Sequence, residues 1–579
     1  MFNVEQVIQQ QLPGITSKPW LYKPVKGALS YLLHEQEFVF FTEQYPHLQG
    51  LDFVEQVLDY FNFSYSARDN EIARLPSSGK VVIIANHPIG SLDGLALIKL
   101  ISDIRPDVKI IANQLLMSVT ALHSLLLPVN NMTGGTERSR LGEIRKHLQQ
   151  DGALVLFPAG EVSRLKPNGI RDGKWHNGFL RFASSAKAPI LPIFIDGRNS
   201  ALFYGASMLY KPLATMLLVQ EMFKQQRKHI TMRIGEQIPF DSYSQLPMPV
   251  KEQVKLFKKH LYRLAKDKTP LLRTQSTIAH PELRSELKAD LANCQLLGTT
   301  SDGKLIYLYH HQQSSALMRE IGRLREHAFR AVGEGTGNKR DIDKYDSDYQ
   351  HLILWDPAEL EMVGAYRLAP SNDLISKNGM AGLYTASLFQ YSQAMQPYLA
   401  QGLELGRSFI QPRYWGKRSL DYLWYGIGAY LQHNPQIRYL FGAVSLSASY
   451  PQTARDLLVY FYSLYFGSNN TLALANQPYL MSDEARQYLQ LQFSGSDYST
   501  DFIQLKHLLA NMGLTIPTLY KQYSELCQPG GVSFLAFSTD PAFADCVDGL
   551  VLVDLQQLKP AKQDRYLTNV ASKHNVKAE

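Results

Sequence analysis

Cysteine is scarce in this chain. Cys294, Cys527 and Cys546 are the only three in 579 residues, an odd number with neither the CxxC spacing of a metal site nor a disulfide framework. A reducing, cytoplasmic setting is the expectation, and no metal ligands are expected. Long apolar runs are missing as well. No stretch reaches the roughly 18 to 20 residues that cross a bilayer, and the opening MFNVEQVIQQQLPG lacks a charged start followed by an apolar signal core. The protein is expected to lie on the inner face of the cell membrane, peripherally, without crossing it. Charge is thin too. The 59 Lys and Arg against 52 Asp and Glu leave a formal +7, modest for this length and no argument for a nucleic-acid partner. An acidic carrier protein or an anionic lipid surface suits the excess equally well.

What is present belongs to a globular protein. Hydrophobic residues make up 45% of the sequence and charged residues 19%, and the length allows two to four domains at about 150 residues each. Residues 1–75 mix helical apolar spacing with aromatics and read as a helical preamble. From Lys80 short β-rich runs alternate with helical stretches: VVIIA, a helix from about Leu92 to Asp103, VKIIA, a helix to Leu127, a helix near Arg138 to Gln149, ALVLF and PILPIFI. This predicts an α/β domain over 76–268. It closes on KEQVKLFKKHLYRLAKDK, which sets Val254, Phe257, Leu261 and Leu264 on one face of a basic helix. Residues 269–290 have no sustained period and read as a linker. A second α/β domain is expected over 291–579, with strands such as KLIYLYH, HLILW, MVGAYRLA and LELGRSFI. The helices of about 469–530 carry no legible site.

The first candidate site lies in ANHPIGSLDG. His87 follows a strand, Pro88 and Gly90 make a tight loop, and Asp93 falls in the first turn of the next helix, where negative charge is favoured. A carboxylate on one ring nitrogen fixes the tautomer and supports the imidazolium formed when the other nitrogen takes a hydroxyl proton. FPAGEVSR then leaves the strand ALVLF through a Gly-containing turn, followed by WHNGFLRFA and APILPIFI. In this order the blocks resemble the glycerolipid acyltransferase family, with its NH(x4)D, FPEGTRS-like block and VPV-like strand. The resemblance implies that His87 is the general base, Asp93 its orienter, and that Phe157, Gly160, Glu161 and Arg164 shape the acceptor site. Arg138 and Arg140 lie near another head-group arginine of that family. Two departures stand out: five residues separate His87 from Asp93, and Ala159 occupies the family's Glu position, which argues against a phosphate-bearing acceptor.

The second half gathers charge beside apolar strands, where an unpaired group is costly. Arg325 with Phe329, Asp343 with Asp346, Arg367, and Glu404 with Arg407 follow the R(x3)F, D(x2)D and E(x2)R series of GNAT-like acyltransferases, the homoserine-lactone synthases and the ornithine N-acyltransferases once termed hemolysins. RYWGKR fits the GNAT pantetheine loop in part, through Arg413 and Gly416, with Arg418 where Gly or Ala is expected. By that likeness the acyl donor is a carrier-protein thioester, acyl-ACP rather than acyl-CoA, and no cofactor is resident. Glu404 is expected to accept the amine proton, N–H groups of a bulged strand to meet the oxyanion, and Asp343 and Asp346 to hold a cationic amino acid. The whole chain resembles bifunctional ornithine lipid synthases. That resemblance implies N-acylation of ornithine with a 3-hydroxyacyl group by the C-terminal half, and O-acylation of the lyso-ornithine lipid by the N-terminal half. The alternatives are a lysophosphatidic acid acyltransferase fused to a transferase for another amine such as glycine, and a hemolysin-like membrane-perturbing protein.

Overall fold

The computed structural model describes residues 19–32, 34–112, 119–128, 138–167, 169–209, 211–311, 315–468 and 471–568. The chain divides into two compact units, Met1–His280 and Pro281–Glu579.

The strands of the first unit are β1 (Ser64–Ala67), β2 (Val81–Ala85), β3 (Lys109–Ala112), β4 (Leu126–Pro128), β5 (Ala153–Leu156), β6 (Arg164–Lys166), β7 (Gly169–Arg171), β8 (Ile190–Asp196) and β9 (His229–Ile234). Seven of them form one sheet in the order β1-β9-β8-β2-β5-β3-β4, while β6 and β7 make a separate hairpin. Neighbours in the sheet run parallel except β8 and β9. A central parallel strand is covered on both faces, which is why β2 reads as the unbroken apolar run VVIIA. Val81, Ile83 and Ala85 enter a core with the helices Gly50–Tyr60 and Leu92–Ser102. Val82 and Ile84 enter the opposite core with Gly178–Ala186 and Val250–Leu264. The last of these is the basic amphipathic helix of the sequence: it buries Val254, Phe257 and Leu261 and leaves Lys251, Lys255 and Lys259 in solvent.

Three features differ from the sequence reading. The segment read as a helical preamble also supplies β1, which pairs with β9 and so joins the sheet. The helix expected up to Leu127 is absent where the chain is described: Thr120–Leu125 is a short 3-10 turn, and Leu126–Pro128 pairs with β3. Leu125, Leu126 and Leu127 are buried in succession, which a strand pressed between two layers satisfies and one face of a helix does not. Residues 113–118 lie outside the described residues. The first part of the expected linker is bonded down onto the first unit: Gln275 pairs with Gln237, the Thr277 hydroxyl donates to the Arg74 carbonyl, and the His280 ring bonds the Leu75 carbonyl.

The second unit contains β10 (Gln295–Thr299), β11 (Leu305–His310), β12 (Gln350–Asp356), β13 (Glu361–Pro370), β14 (Phe389–Tyr391), β15 (Gly402–Ile410), β16 (Tyr439–Leu446), β17 (Ala473–Ala475), β18 (Val532–Asp540) and β19 (Cys546–Asp554). Eight form a sheet ordered β10-β11-β12-β13-β15-β16-β19-β18, and β14 pairs with β17. Every neighbour in the large sheet is antiparallel except β15 and β16, whose parallel pairing covers only Gly402↔Tyr439 to Glu404↔Phe441. Helix Ala316–Ala331 follows β11, and helix Ser419–His433 makes the crossover that a parallel pair requires. The segment without a legible site holds the helices Asp483–Gln492 and Tyr498–Asn511, whose Leu489, Phe502, Leu505 and Leu509 share a core with helix Gln452–Phe466. Among the described residues no helix is long and apolar enough to cross a membrane.

Gly442 sits where β16 leaves β15, and a Cβ there would be driven into the Leu405 carbonyl oxygen. Gly442→Ala is expected to cost about 1–3 kcal/mol, read as a lower urea midpoint for the second unit with the first unchanged.

Candidate active site

In the first unit, the end of β2 is pinned by Asn86, whose side-chain amide donates to the Ile195 carbonyl at 2.8 Å and accepts from the Ile195 N–H at 2.7 Å. His87 follows at the C-terminal edge of the parallel sheet, where open α/β folds place their chemistry. Its Nδ1 lies 3.1 Å from Asp93 Oδ2. The carboxylate also accepts from the backbone N–H groups of Ile89 at 2.9 Å and Gly90 at 3.1 Å. Gly90 has φ +107°, and a Cβ on it would press on Val162, so the five-residue spacing closes only with glycine at that point. Because the carboxylate can only accept, Nδ1 carries the proton and Nε2 is left as the acceptor. The Phe157 ring stacks on the imidazole at 4.0 Å and 15°.

Burial opposes a charged imidazole at His87. The Asp93 charge and hydrogen bond outweigh it, the Asp172 charge adds to them, and the pKa stands above its ordinary value. Burial likewise works against the Asp93 carboxylate, yet His87 and the two backbone donors hold it below the usual range. The Asp93 side chain is 0% exposed and that of His87 17%, so only the imidazole of this pair reaches solvent.

Gly160, at φ +64°, turns the chain after β5. The Ser163 N–H donates to the His87 carbonyl at 2.8 Å, tying this block to the histidine loop. Arg164 opens β6 with its guanidinium over the Phe203 ring at 5.0 Å; its Nε and Nη1 are buried without a hydrogen-bond partner. Two of its donors are thereby left open to an acceptor. Glu161 packs over Gly173, and Ala159 is buried in the apolar core. Arg138 and Arg140 begin the helix Arg138–Gln149, and their side chains lie outside the described residues. The residue missed by sequence reading is Asp172, 0% exposed, which accepts from Ser163 Oγ at 2.5 Å and Trp175 Nε1 at 2.8 Å. A lone acid between Arg171 and Lys174 carries no pattern that would have singled it out.

In the second unit the arginines and aspartates form a buried lattice. Arg325 donates to Asp346 at 2.8 Å and to His351 Nδ1 at 3.2 Å. Arg367 reaches Asp343 at 2.6 Å and Asp346 at 3.1 Å. His351 therefore carries its proton on Nε2, which donates to the Asp346 carbonyl at 3.2 Å, and burial with the Arg325 charge holds its pKa down to about 3. Asp346 is spent between two guanidiniums and sealed from solvent, so the structure does not present it to a cationic amino acid as the sequence reading expected. Phe329 packs edge-on against Phe543.

Arg407 occupies a bulge. Ala365 pairs with Phe409 and Arg367 with Gly406, so Arg407 and Ser408 together face Tyr366, and Arg407 has φ +48°. A bulge of this kind frees backbone N–H groups from the ladder, and a left-handed non-glycine residue marks a place where the backbone carries strain. The guanidinium lies between the rings of Tyr384 at 4.9 Å and Phe543 at 4.7 Å, with Nη2 3.4 Å from Asp343. These groups border a cavity of about 420 Å³ together with Asp540, Gln477 and Ser538.

Glu404 does not border that cavity. It is 1% exposed, the Tyr349 hydroxyl donates to Oε2, and the Thr385 N–H donates to Oε1 at 2.7 Å. Burial raises its pKa against those bonds. Arg407 also pairs with Asp341 at 3.6 Å, and two further carboxylates that feel its charge stand near neutrality. Burial pushes Glu334 up to about 7, against a hydrogen bond from Ser445 and the Arg407 charge. Burial, with the charges of Asp540 and Glu334, pushes Asp548 up to about 7. Arg413 is half-exposed and paired with Glu359 and Glu361, and Gly416, at φ +74°, turns the chain toward helix Ser419–His433. Among the described residues no group of three or more His, Cys, Asp or Glu is placed to hold a metal ion.

Comparison with known proteins matches both halves. The family described as Acyltransferase matches residues 8–269, and the Acetyltransferase (GNAT) domain matches residues 324–425. A Glycine N(alpha)-acyltransferase of Bacteroides thetaiotaomicron is 32% identical over 310 residues, 51% of this chain and 91% of that protein. A Lyso-glycine lipid O-acyltransferase of the same organism is 29% identical over 259 residues, 43% of this chain and 92% of that protein. An L-ornithine N(alpha)-acyltransferase of Rhizobium meliloti is 36% identical over 126 residues, 21% of this chain and 41% of that protein.

Glu334 and Asp548 bind protons more tightly folded than unfolded. The stability this confers is complete below pH 4 and is lost as pH rises through about 7. The second unit is expected to lose roughly 3 kcal/mol between pH 5 and 8, and Asp548→Asn with Glu334→Gln to flatten that slope in denaturant midpoints.

Proposed function

Because the chain belongs to the family of amino-acid N(alpha)-acyltransferases, with an acyltransferase domain joined ahead of its GNAT domain, we propose that it builds an amino-acid lipid by two consecutive acyl transfers. The observation that carries this reading is the His87–Asp93 pair, a hydroxyl-activating base, on the same chain as an amine-acylating fold.

In the first step the free α-amine of an amino acid attacks a 3-hydroxyacyl thioester. The oxyanion meets backbone N–H groups freed at the Arg407–Ser408 bulge, and the thiol leaves. Arg407, clamped between two rings, takes the α-carboxylate. The ammonium proton passes to Asp548 and Glu334, whose pKa values near 7 match that task. Glu404 serves this site from behind: through Tyr349 and Thr385 it holds the segment that sets Tyr384 against Arg407. In the second step the 3-hydroxyl of the amide loses its proton to His87 Nε2 as it attacks a second acyl thioester. Asp93 supports the imidazolium, which then protonates the leaving thiolate. Arg164 receives the α-carboxylate of the amino-acid head, an anion with no phosphate, in keeping with Ala159 at the family's Glu position.

Ornithine is the amino acid this reading favours. The charged side chains that line the cavity are Asp343, Asp540 and Arg407, two carboxylates to one guanidinium. A substrate with two ammonium groups and one carboxylate balances that excess, and glycine does not. Acyl carrier protein is the proposed donor, since Arg418 stands in the loop that would otherwise cradle a pyrophosphate and the chain is basic overall. The enzyme is placed on the membrane surface, where its amphiphilic intermediate partitions.

Expression in a host without amino-acid lipids is expected to yield a mono-acylated and a di-acylated amino-acid lipid by mass spectrometry. His87→Ala is expected to lower the second transfer by about 100-fold or more, so that the mono-acylated amide accumulates, and Glu404→Ala to remove both species. Extracts with no new amino-acid lipid, or with phosphatidic acid made from lysophosphatidic acid, would overturn the reading. With purified enzyme, acylation of ornithine is expected to exceed that of norvaline and glycine. Equal rates would remove the charge argument.

A further inference from the structure

His87 has a second carboxylate behind it. Asp172 follows β7, wholly buried, and receives donors from three separate pieces of chain. Ser163 Oγ of the FPAGEVSR block donates at 2.5 Å, the Trp175 indole at 2.8 Å, and the backbone N–H of His87 at 3.3 Å. The Ser163 N–H in turn donates to the His87 carbonyl at 2.8 Å, so the two loops are laced through both serine and aspartate. The donors to the carboxylate are neutral. The nearby ammonium groups, Lys166 of β6 and Lys258 of helix Val250–Leu264, go instead to the main-chain carbonyl of Asp172, at 2.7 and 2.9 Å. The Asp172 N–H bonds the Tyr262 hydroxyl, and Glu161 packs over the adjacent Gly173. Asp93 from helix Leu92–Ser102 completes the charged groups around the imidazole.

We propose that Asp172 is a positioning residue for the O-acyl transfer: it locks the His87 loop to the FPAGEVSR block and supplies a fixed negative charge that strengthens His87 as a base. The inference rests on the reading of His87 given above and goes beyond it. The imidazolium that forms as the hydroxyl gives up its proton has one carboxylate hydrogen-bonded to its ring and a second held at the residue's backbone N–H. A base supported in this way is stronger, and its protonation is carried to higher pH.

The test uses the full chain with 13C-labelled histidine, the His87 signal being identified by its loss in His87→Gln. In Asp172→Asn the His87 titration midpoint is expected to fall by about one pH unit. The acid limb of O-acylation is expected to move down with it. The kcat should drop about tenfold, with KM for the hydroxylated amide within about twofold and N-acylation unchanged. Asp172→Glu should restore the midpoint. A lowered rate with the midpoint and acid limb in place would make Asp172 a structural residue only and overturn the proposal. Ser163→Ala keeps the charge and cuts the tie to the block. It is expected to lower kcat about tenfold with the midpoint unmoved, and an unchanged kcat overturns the positioning role even where Asp172→Asn fails to fold. A wild-type chain that leaves the hydroxylated amide unacylated would sink the proposed reaction, while the titration still judges Asp172.

Discussion

A carboxylate removed from water needs donors at its own position, because the medium around it offers little else. Asp93 meets that need with three backbone N–H groups and an imidazole, Asp172 with a serine, an indole and a main-chain amide, and Asp346 with two guanidiniums and the Asp343 N–H. For Asp172 and Asp346 the donors include segments 85 and 21 residues away, while those of Asp93 all lie within six residues of it. The obligation to satisfy one acid therefore fixes where several loops lie. In the first unit the result is an imidazole whose ring, tautomer and charge are all set by buried groups around it.

The second unit applies the same constraint in reverse. Some of its buried acids are left without enough positive charge. Arg325 and Arg367 are consumed by Asp343 and Asp346, while Glu334 and Asp548 share the influence of Arg407. Burial then drives their affinity for protons up toward neutrality instead of keeping them ionised. Groups of that kind exchange protons at physiological pH, which an amine acylation requires, and both feel the charge of Arg407, which borders the cavity and is oriented by two aromatic rings. The strain stored at Arg407 marks the place where the strand gives up regular pairing in favour of free N–H groups.

Much of this was legible in the residues. VVIIA is continuous because its strand is covered on both faces, and the loop from His87 to Asp93 with Gly90 in it brings the two side chains together as the residues around them suggested. The alternation of strands and helices in each half read correctly as α/β, the charged series of the second half read as GNAT-like, and both families match. Other features had no local signature. Leu125 to Leu127 looked like a helix end because a short buried strand and a buried helical turn share the same composition. Glu404 stood out as a charged residue in an apolar strand, but only the fold reveals that Tyr349 and Thr385 already occupy both of its oxygens. Asp172 was invisible for a related reason: its donors arrive from 9 residues before it, 3 after it and 85 before it, and only the tertiary structure gathers them.

The large sheet of the second unit is two antiparallel rafts stitched together along a seam three residue pairs long. Each raft keeps its own ladder on either side of the stitch. Either raft can therefore tilt about that stitch at the loss of three residue pairs only, while the long antiparallel ladders on both sides stay whole.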